Sequence, residues 1–207
     1  MAKWCGPQLY PAREPGSRGK KGNCEMKMRF NGLACALALA AGAAFAEPPP
    51  VQTVAAVDLD RYAGKWYEIA AFPMFFQRQC LGDTTAEYGV RDDGDLSVVN
   101  RCRTEDGFDE ATARAWAVEG GGNAKLKVSF FWPFRADYWV IGLDDGYRWA
   151  VVGNPERRYL WILSRTPRLP APLLEQALAA ARAQGYDLSQ LRYTPQRENG
   201  AIPGRTP

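Results

Sequence analysis

Between Gly64 and Arg165 the chain is cut into eight short strand-like segments, each closed by a turn signal, and this rhythm limits the fold more than any other feature. The segments run over about 64–71, 82–91, 95–102, 111–119, 124–132, 136–143, 147–153 and 158–165. "RDDGD" (91–95) reads as a tight hairpin with Gly94 free to take positive φ, and "TEDGFDE", "EGGGN", "WPF", "DDG" and "NPER" mark later turns. Strands at this spacing build a sandwich or an up-and-down barrel. No connection is long enough to suggest a Greek key, so an antiparallel meander closing on itself is the simpler reading. "DLDRY" precedes the strands as a short helical or 3₁₀ turn. "APLLEQALAAARAQG" follows them as a helix, with Leu174, Ala177, Leu178 and Ala181 on one face and Gly185 as its stop. That helix is expected outside the barrel, and "LRYTP" (191–195) can supply a short last strand.

Alternation divides the strand side chains between two faces. "RYLWILSR" sends Tyr159, Trp161, Leu163 and Arg165 one way and Leu160, Ile162 and Ser164 the other. "AKLKVSF" separates Leu126, Val128 and Phe130 from Lys125, Lys127 and Ser129, and the lysine face must be the wet one. "ATARAWAVE" sets Ala113, Ala115 and Ala117 against Arg114, Trp116 and Val118. With the alanines inward, that wall is thin. Small residues on one wall and aromatics on another leave room for an apolar ligand inside eight strands, where a packed core would fill it.

The beginning of the chain reads as an address. From Met26, a short basic stretch (Lys27, Arg29) leads into an apolar run from Leu33 to about Ala44, and "AFA" places small residues before a cut expected between Ala46 and Glu47. Residues 26–46 are thus expected to be a secretory signal peptide, whose apolar run is too short to span a membrane. Residues 1–25, rich in Gly, Pro and charge, read as a disordered or upstream mis-annotated segment; 47–57 as a Pro-rich linker; 58–196 as the folded domain; and 197–207 as a disordered tail. Cys35 sits near the start of the apolar run with Gly32 where Leu is usual in a lipid-attachment site. An exported soluble protein is therefore favoured over an anchored one.

Composition narrows the chemistry. The chain of 207 residues has no histidine, which excludes a Ser-His-Asp triad, a His-ligated zinc and a His-ligated haem. Seven of its 26 basic residues but only two of its 23 acidic ones precede Glu47, so the remainder is near balance at 19 against 21. Such a domain has no electrostatic footprint for nucleic acid. Past the expected cut only Cys80 and Cys102 remain, and an even pair in an exported protein is expected as a disulfide rather than a metal site. Cys80 ends the loop after the first strand and Cys102 the third strand, so the bond would pin the loop's root, worth roughly 3 kcal/mol in the chain-entropy model.

These residues resemble the lipocalins (calycins), in particular the bacterial outer-membrane lipocalin and apolipoprotein D branch, from about Asp58 to Gln196. Three features carry the resemblance: Gly64 and Trp66 in "GKWYEIAAFP", Asp144 and Tyr147 in "GLDDGYRW", and Arg165 in "YLWILSRTP". It implies an all-β, eight-stranded antiparallel up-and-down barrel, open at one end, with the C-terminal helix on its side. It also implies that Arg165 lies on Trp66 across a closed end, both structural. Implied too is carriage of a fatty acid, lysophospholipid or similar hydrophobe, without cofactor, by a monomer or weak homodimer. On the family's register the pocket wall includes Tyr88, Val98, Ala115, Val128, Phe130, Tyr138, Val140, Ala150, Tyr159 and Trp161, the last matching the tryptophan of the apolipoprotein D pocket. The apolipoprotein D disulfide pattern is absent.

Two further features come from the residues themselves. Glu68 shares parity with Trp66 and Ala70, so alternation points it inward. There it could meet a ligand or form a structural bond to a nearby tyrosine or arginine. The loop "FPMFFQRQ" (72–79) should overhang the open end, and Phe72, Met74, Phe75 and Phe76 are too apolar for a plain exposed loop. They read as ligand contacts, a lid, or a membrane-contacting rim. The functional expectation is therefore non-enzymatic binding and transport of a hydrophobe in the periplasm or at the outer membrane. A lipocalin-fold enzyme and an interaction module docking through the rim are the alternatives.

Overall fold

The computed structural model describes residues 48–197. A short helix α1 (Leu59–Tyr62) is capped by Asp58, whose carboxylate accepts from the backbone N–H groups of Asp60 and Arg61. Eight strands follow: β1 (Gly64–Ala71), β2 (Gly82–Val90), β3 (Leu96–Thr104), β4 (Gly107–Ala117), β5 (Lys125–Phe131), β6 (Phe134–Leu143), β7 (Trp149–Gly153) and β8 (Leu160–Ser164). Each pairs antiparallel with its neighbour in sequence, and β1 pairs with both β2 and β8, so the sheet closes. Helix α2 (Ala171–Ala183) then packs outside, burying Ala177, Leu178 and Ala181. The expected meander and its helix are both present. Two apolar layers result, one within the barrel around Trp66, Leu126 and Val140, the other between α2 and the outer faces of β1, β6, β7 and β8.

Several boundaries differ from the sequence reading for identifiable reasons. β4 begins at Gly107 rather than 111. The acidic stretch Asp109–Glu110 looked like a turn, but it forms an exposed strand end paired with Arg101 and Cys102. Residues 51–57, read as a linker, are strapped to the barrel: Val51 and Val57 are buried, and the N–H groups of Val54 and Val57 donate to the carbonyls of Val140 and Gly122. At the signature residue Gly64 crowding does not demand glycine: a side-chain carbon there would meet only the Arg165 guanidinium at 3.5 Å. What demands glycine is φ = +89°, which lets the chain turn from α1 into β1.

The barrel wall is completed by the C-terminal segment. Beyond Tyr67, β1 and β2 part company. β9 (Arg192–Tyr193) pairs with Ala70 and Ala71 of β1. The Thr194 N–H donates to the Ile69 carbonyl, and the Asp83 N–H to the Pro195 carbonyl. The Gln196 amide donates at 2.8 Å to the carbonyls of both Glu68 and Thr84, bridging the gap. Arg197, expected to begin the disordered tail, instead pairs with Asp83.

Candidate ligand-binding site

The closed end is built around one stacked column. The Arg165 guanidinium lies 3.8 Å from the centroid of the Trp66 ring and donates to the carbonyls of Ala63 and Lys65 at 3.0 and 3.1 Å, and to that of Arg61. Helix carbonyls left open at the end of α1 thereby find a cation. The Trp66 indole donates to the Tyr62 carbonyl at 2.8 Å, and the Tyr62 ring lies 5.0 Å above it. The turn between β6 and β7 seals the side. Asp144 accepts two bonds from the Arg148 guanidinium at 2.8 Å each and one from the Arg148 N–H, and the Arg148 bonds hold its carboxyl down at about 2. Tyr147, at φ = +57°, stacks under Arg61 and accepts from the Asp58 N–H at 2.9 Å.

Toward the other end the inside opens. Along β4, inward residues pass from Ala115, buried, through Ala113, partly exposed, to Ala111, exposed. Along β5 the same passage runs Leu126, Val128, Phe130; along β6, Val140, Tyr138, Ala136. On β8, Leu163 is buried and Trp161 and Tyr159 are partly exposed. One gradient repeated on four strands marks an interior packed at one end and increasingly exposed toward the other. Of the wall residues named from the register, Val98, Ala115, Val140, Ala150 and Tyr88 lie in the filled part, while Val128, Phe130, Tyr138, Tyr159 and Trp161 line the open part. The Tyr159 and Trp161 rings stack at 5.9 Å, and Phe76 reaches down to Tyr159 at 6.1 Å.

Two placements depart from the sequence reading, and one cause explains both. Glu68 pairs with inward Leu163, but Ala70 pairs with outward Ile162, so Ile69 is an extra residue in β1. This bulge reverses parity beyond Glu68. Ala70 therefore does not share a face with Glu68. Phe72 turns outward, packing 6.0 Å from Tyr186 beneath α2 rather than overhanging the mouth. Met74 is buried as well, which leaves Phe75 and Phe76 as the exposed apolar part of that loop. Glu68 faces the seam where β1 and β2 separate. Its oxygens accept from the Thr194 hydroxyl at 2.5 Å and the Gln77 amide at 3.2 Å, not from tyrosine or arginine. Burial pushes its carboxyl up, against the lowering effect of those two bonds. A cavity of about 260 Å³ adjoins it, lined among others by Met74, Gln77, Thr84 and Thr194. The Cys80–Cys102 disulfide is formed, with Cα atoms 5.5 Å apart, and ties the loop to β3.

Sequence reasoning missed two features. The hydroxyls of Tyr62, Tyr88 and Tyr138 join at 2.7 and 2.8 Å inside the barrel. Tyr62 was hidden in a polar pentapeptide, where nothing local marks it as inward. The β5–β6 hairpin tip exposes Phe131, Trp132 and Phe134 by 68, 80 and 78%. Consecutive aromatics there could have been flagged, but a continuous apolar run carries no alternation to read.

Comparisons with known proteins agree with this architecture. Residues 57–196 match the family model of the lipocalin-like domain. The outer membrane lipoprotein Blc of Escherichia coli K12 is 42% identical over 170 residues, covering 77% of this chain and 96% of that protein. Apolipoprotein D of Bos taurus is 29% identical over 157 residues, covering 72% of this chain and 80% of its own. Insecticyanin of the tobacco hornworm, Manduca sexta, superposes with a TM-score of 0.60 at 23% identity, over 72% of this chain and 86% of the other, which speaks to the fold alone.

Proposed function

We propose that this chain, which belongs to the lipocalin family, takes up a fatty acid, lysophospholipid or similar lipid in the upper half of its barrel. The observation that carries this is the repeated gradient from buried to exposed inward residues along β4, β5, β6 and β8. The hollow's wall is apolar, with Ala111, Ala113 and Ala136 leaving width opposite the aromatic side of Tyr159 and Trp161. Burying an acyl chain there would contribute about 0.8 kcal/mol per methylene. The relatives named outer membrane lipoproteins support a place in the bacterial envelope, reached through the signal expected at 26–46. That signal and Cys35 both lie outside the described residues. Binding is favoured over catalysis because the buried carboxyl of Glu68 is committed to Thr194 and Gln77.

Native mass spectrometry of the purified protein, followed by lipid extraction, is expected to recover a bound lipid. Added hexadecanoic acid should quench Trp161, and Ala113→Trp should abolish uptake while leaving the fold intact. Normal uptake by Ala113→Trp, or none by the wild type, would overturn the reading.

A second reading rests on the exposed aromatics of the rim, Phe131, Trp132 and Phe134 with Phe75. Exposed aromatics of this kind suit contact with a membrane surface. It shifts the rim contact expected at 72–79 largely to the β5–β6 tip. Trp132→Ser together with Phe134→Ser should lower co-sedimentation with phospholipid vesicles without changing uptake of soluble acyl probes.

A further inference from the structure

The tyrosine cluster carries a consequence for which ligands the hollow accepts. Tyr62 comes from α1, Tyr88 from β2 and Tyr138 from β6, and the Tyr138 hydroxyl touches both others. Three phenols bring three O–H protons, and two oxygen–oxygen contacts use two of them. One proton is left over wherever the bonds point. Tyr62 is fully buried and Tyr88 is 5% exposed, whereas Tyr138 is partly exposed. Either oxygen can donate in each contact; a spare donor costs least where it can reach solvent or ligand, which favours the arrangement in which Tyr62 and Tyr88 donate and the Tyr138 O–H is left over. Accepting two bonds also polarises that O–H and strengthens it as a donor. Burial pushes the Tyr88 phenol up to about 12 and raises the other two further above their ordinary value, so the cluster stays protonated at any physiological pH.

We propose that the Tyr138 hydroxyl is a specificity-determining donor at the floor of the hollow, selecting lipids whose leading end carries an uncharged acceptor oxygen. The inference rests on uptake of an acyl ligand as described above. An uncharged oxygen is favoured over a carboxylate because no charged side chain acts on the Tyr138 phenol, whose electrostatic neighbours are Tyr62 and Tyr88. Arg165 stands on the far side of Trp66, held by backbone carbonyls. The oxygen could be a hydroxyl at the end of an oxygenated acyl chain entering tail first, or an ester or glycerol oxygen of an uncharged head entering first.

Trp161 quenching by hexadecanoic acid, 16-hydroxyhexadecanoic acid and a monohexadecanoyl glycerol separates these cases, in the wild type and in Tyr138→Phe. On a purely apolar floor an added hydroxyl would weaken binding about tenfold or more. Here the wild type should bind at least one oxygenated probe within threefold of hexadecanoic acid, or tighter. In Tyr138→Phe that probe should weaken about tenfold relative to hexadecanoic acid, and which probe responds identifies the source of the oxygen. Tyr62→Phe, which removes one of the two bonds that polarise the Tyr138 O–H but keeps that O–H, should weaken the oxygenated probe by less than Tyr138→Phe does. Rejection of both oxygenated probes by more than threefold in the wild type overturns the proposal without any variant, so it stands or falls even if Tyr138→Phe does not fold. So does a change below threefold in Tyr138→Phe. Failure of all three probes to bind would instead overturn the uptake reading itself.

Discussion

The two ends of the barrel are made by the same eight strands and differ in nearly every other respect. At the closed end Trp66 is fully buried between Arg165 and Tyr62, and cations are spent on backbone carbonyls. At the open end Trp132 is 80% exposed, inward alanines leave space, and closure depends on a disulfide and a C-terminal segment wedged between β1 and β2. Even the buried carboxyls differ in sign: Asp144 below is held down by Arg148, while Glu68 above is pushed up by burial. One end is packed around Trp66, and at the other the inward residues are exposed.

Breaking the closed end should have the largest effect. Trp66→Ala is expected to cost about 3–5 kcal/mol in guanidinium unfolding, whereas Trp132→Ala at the rim should stay within about 0.5 kcal/mol. Next comes the clamp of the open end. Replacing Cys80 and Cys102 with serine should cost about 3 kcal/mol in the chain-entropy model, read as a lower Tm that reductant no longer changes. Arg165→Lys keeps the charge but cannot cover Trp66 and reach the carbonyls of Arg61, Ala63, Lys65 and Tyr147 at once, so we expect a loss of about 2 kcal/mol by chemical denaturation.

The smallest effect, pH, sharpens the contrast most. Asp144 has a folded value of about 2, below its unfolded one near 3.8, so its contribution is present above pH 4 and is lost as pH falls toward 2. Because Arg148 is 60% exposed, solvent screening reduces that contribution to about 1 kcal/mol. Asp144→Asn should flatten the acid limb of a plot of stability against pH. For Glu68 the folded value lies above the unfolded one, so its penalty is absent in acid and grows as pH rises through the folded value. Glu68→Gln should therefore raise Tm at pH 7 and not at pH 4, a difference that calorimetry at the two pH values checks. An equal gain at both would mean that Glu68 is not penalised by ionisation.

Strand limits were readable wherever alternation and turn residues agreed. β1 begins and ends at the expected residues, and Trp161 and Leu163 of β8 share the inward face as expected. The reading failed where one residue changed the count. The bulge at Ile69 has no composition of its own, yet it moved Phe72 from the mouth to the layer under α2. It failed again where a segment's role depends on what it touches: Val54 and Val57 follow three prolines, and only Val140 and Gly122 make them part of the barrel.

By itself the sequence determined the number of strands, the helix, the signature residues of the closed end and the thinness of the alanine wall. These are local consequences of periodicity, turn chemistry and side-chain size. The tertiary structure alone decided that residues 62, 88 and 138 would share hydroxyls, and that Gln196 would bridge Glu68 and Thr84. Such meetings depend on how far each strand is offset from its neighbour and where a bulge shifts that offset. No short stretch of chain encodes that offset; it is set when the last strand pairs with the first.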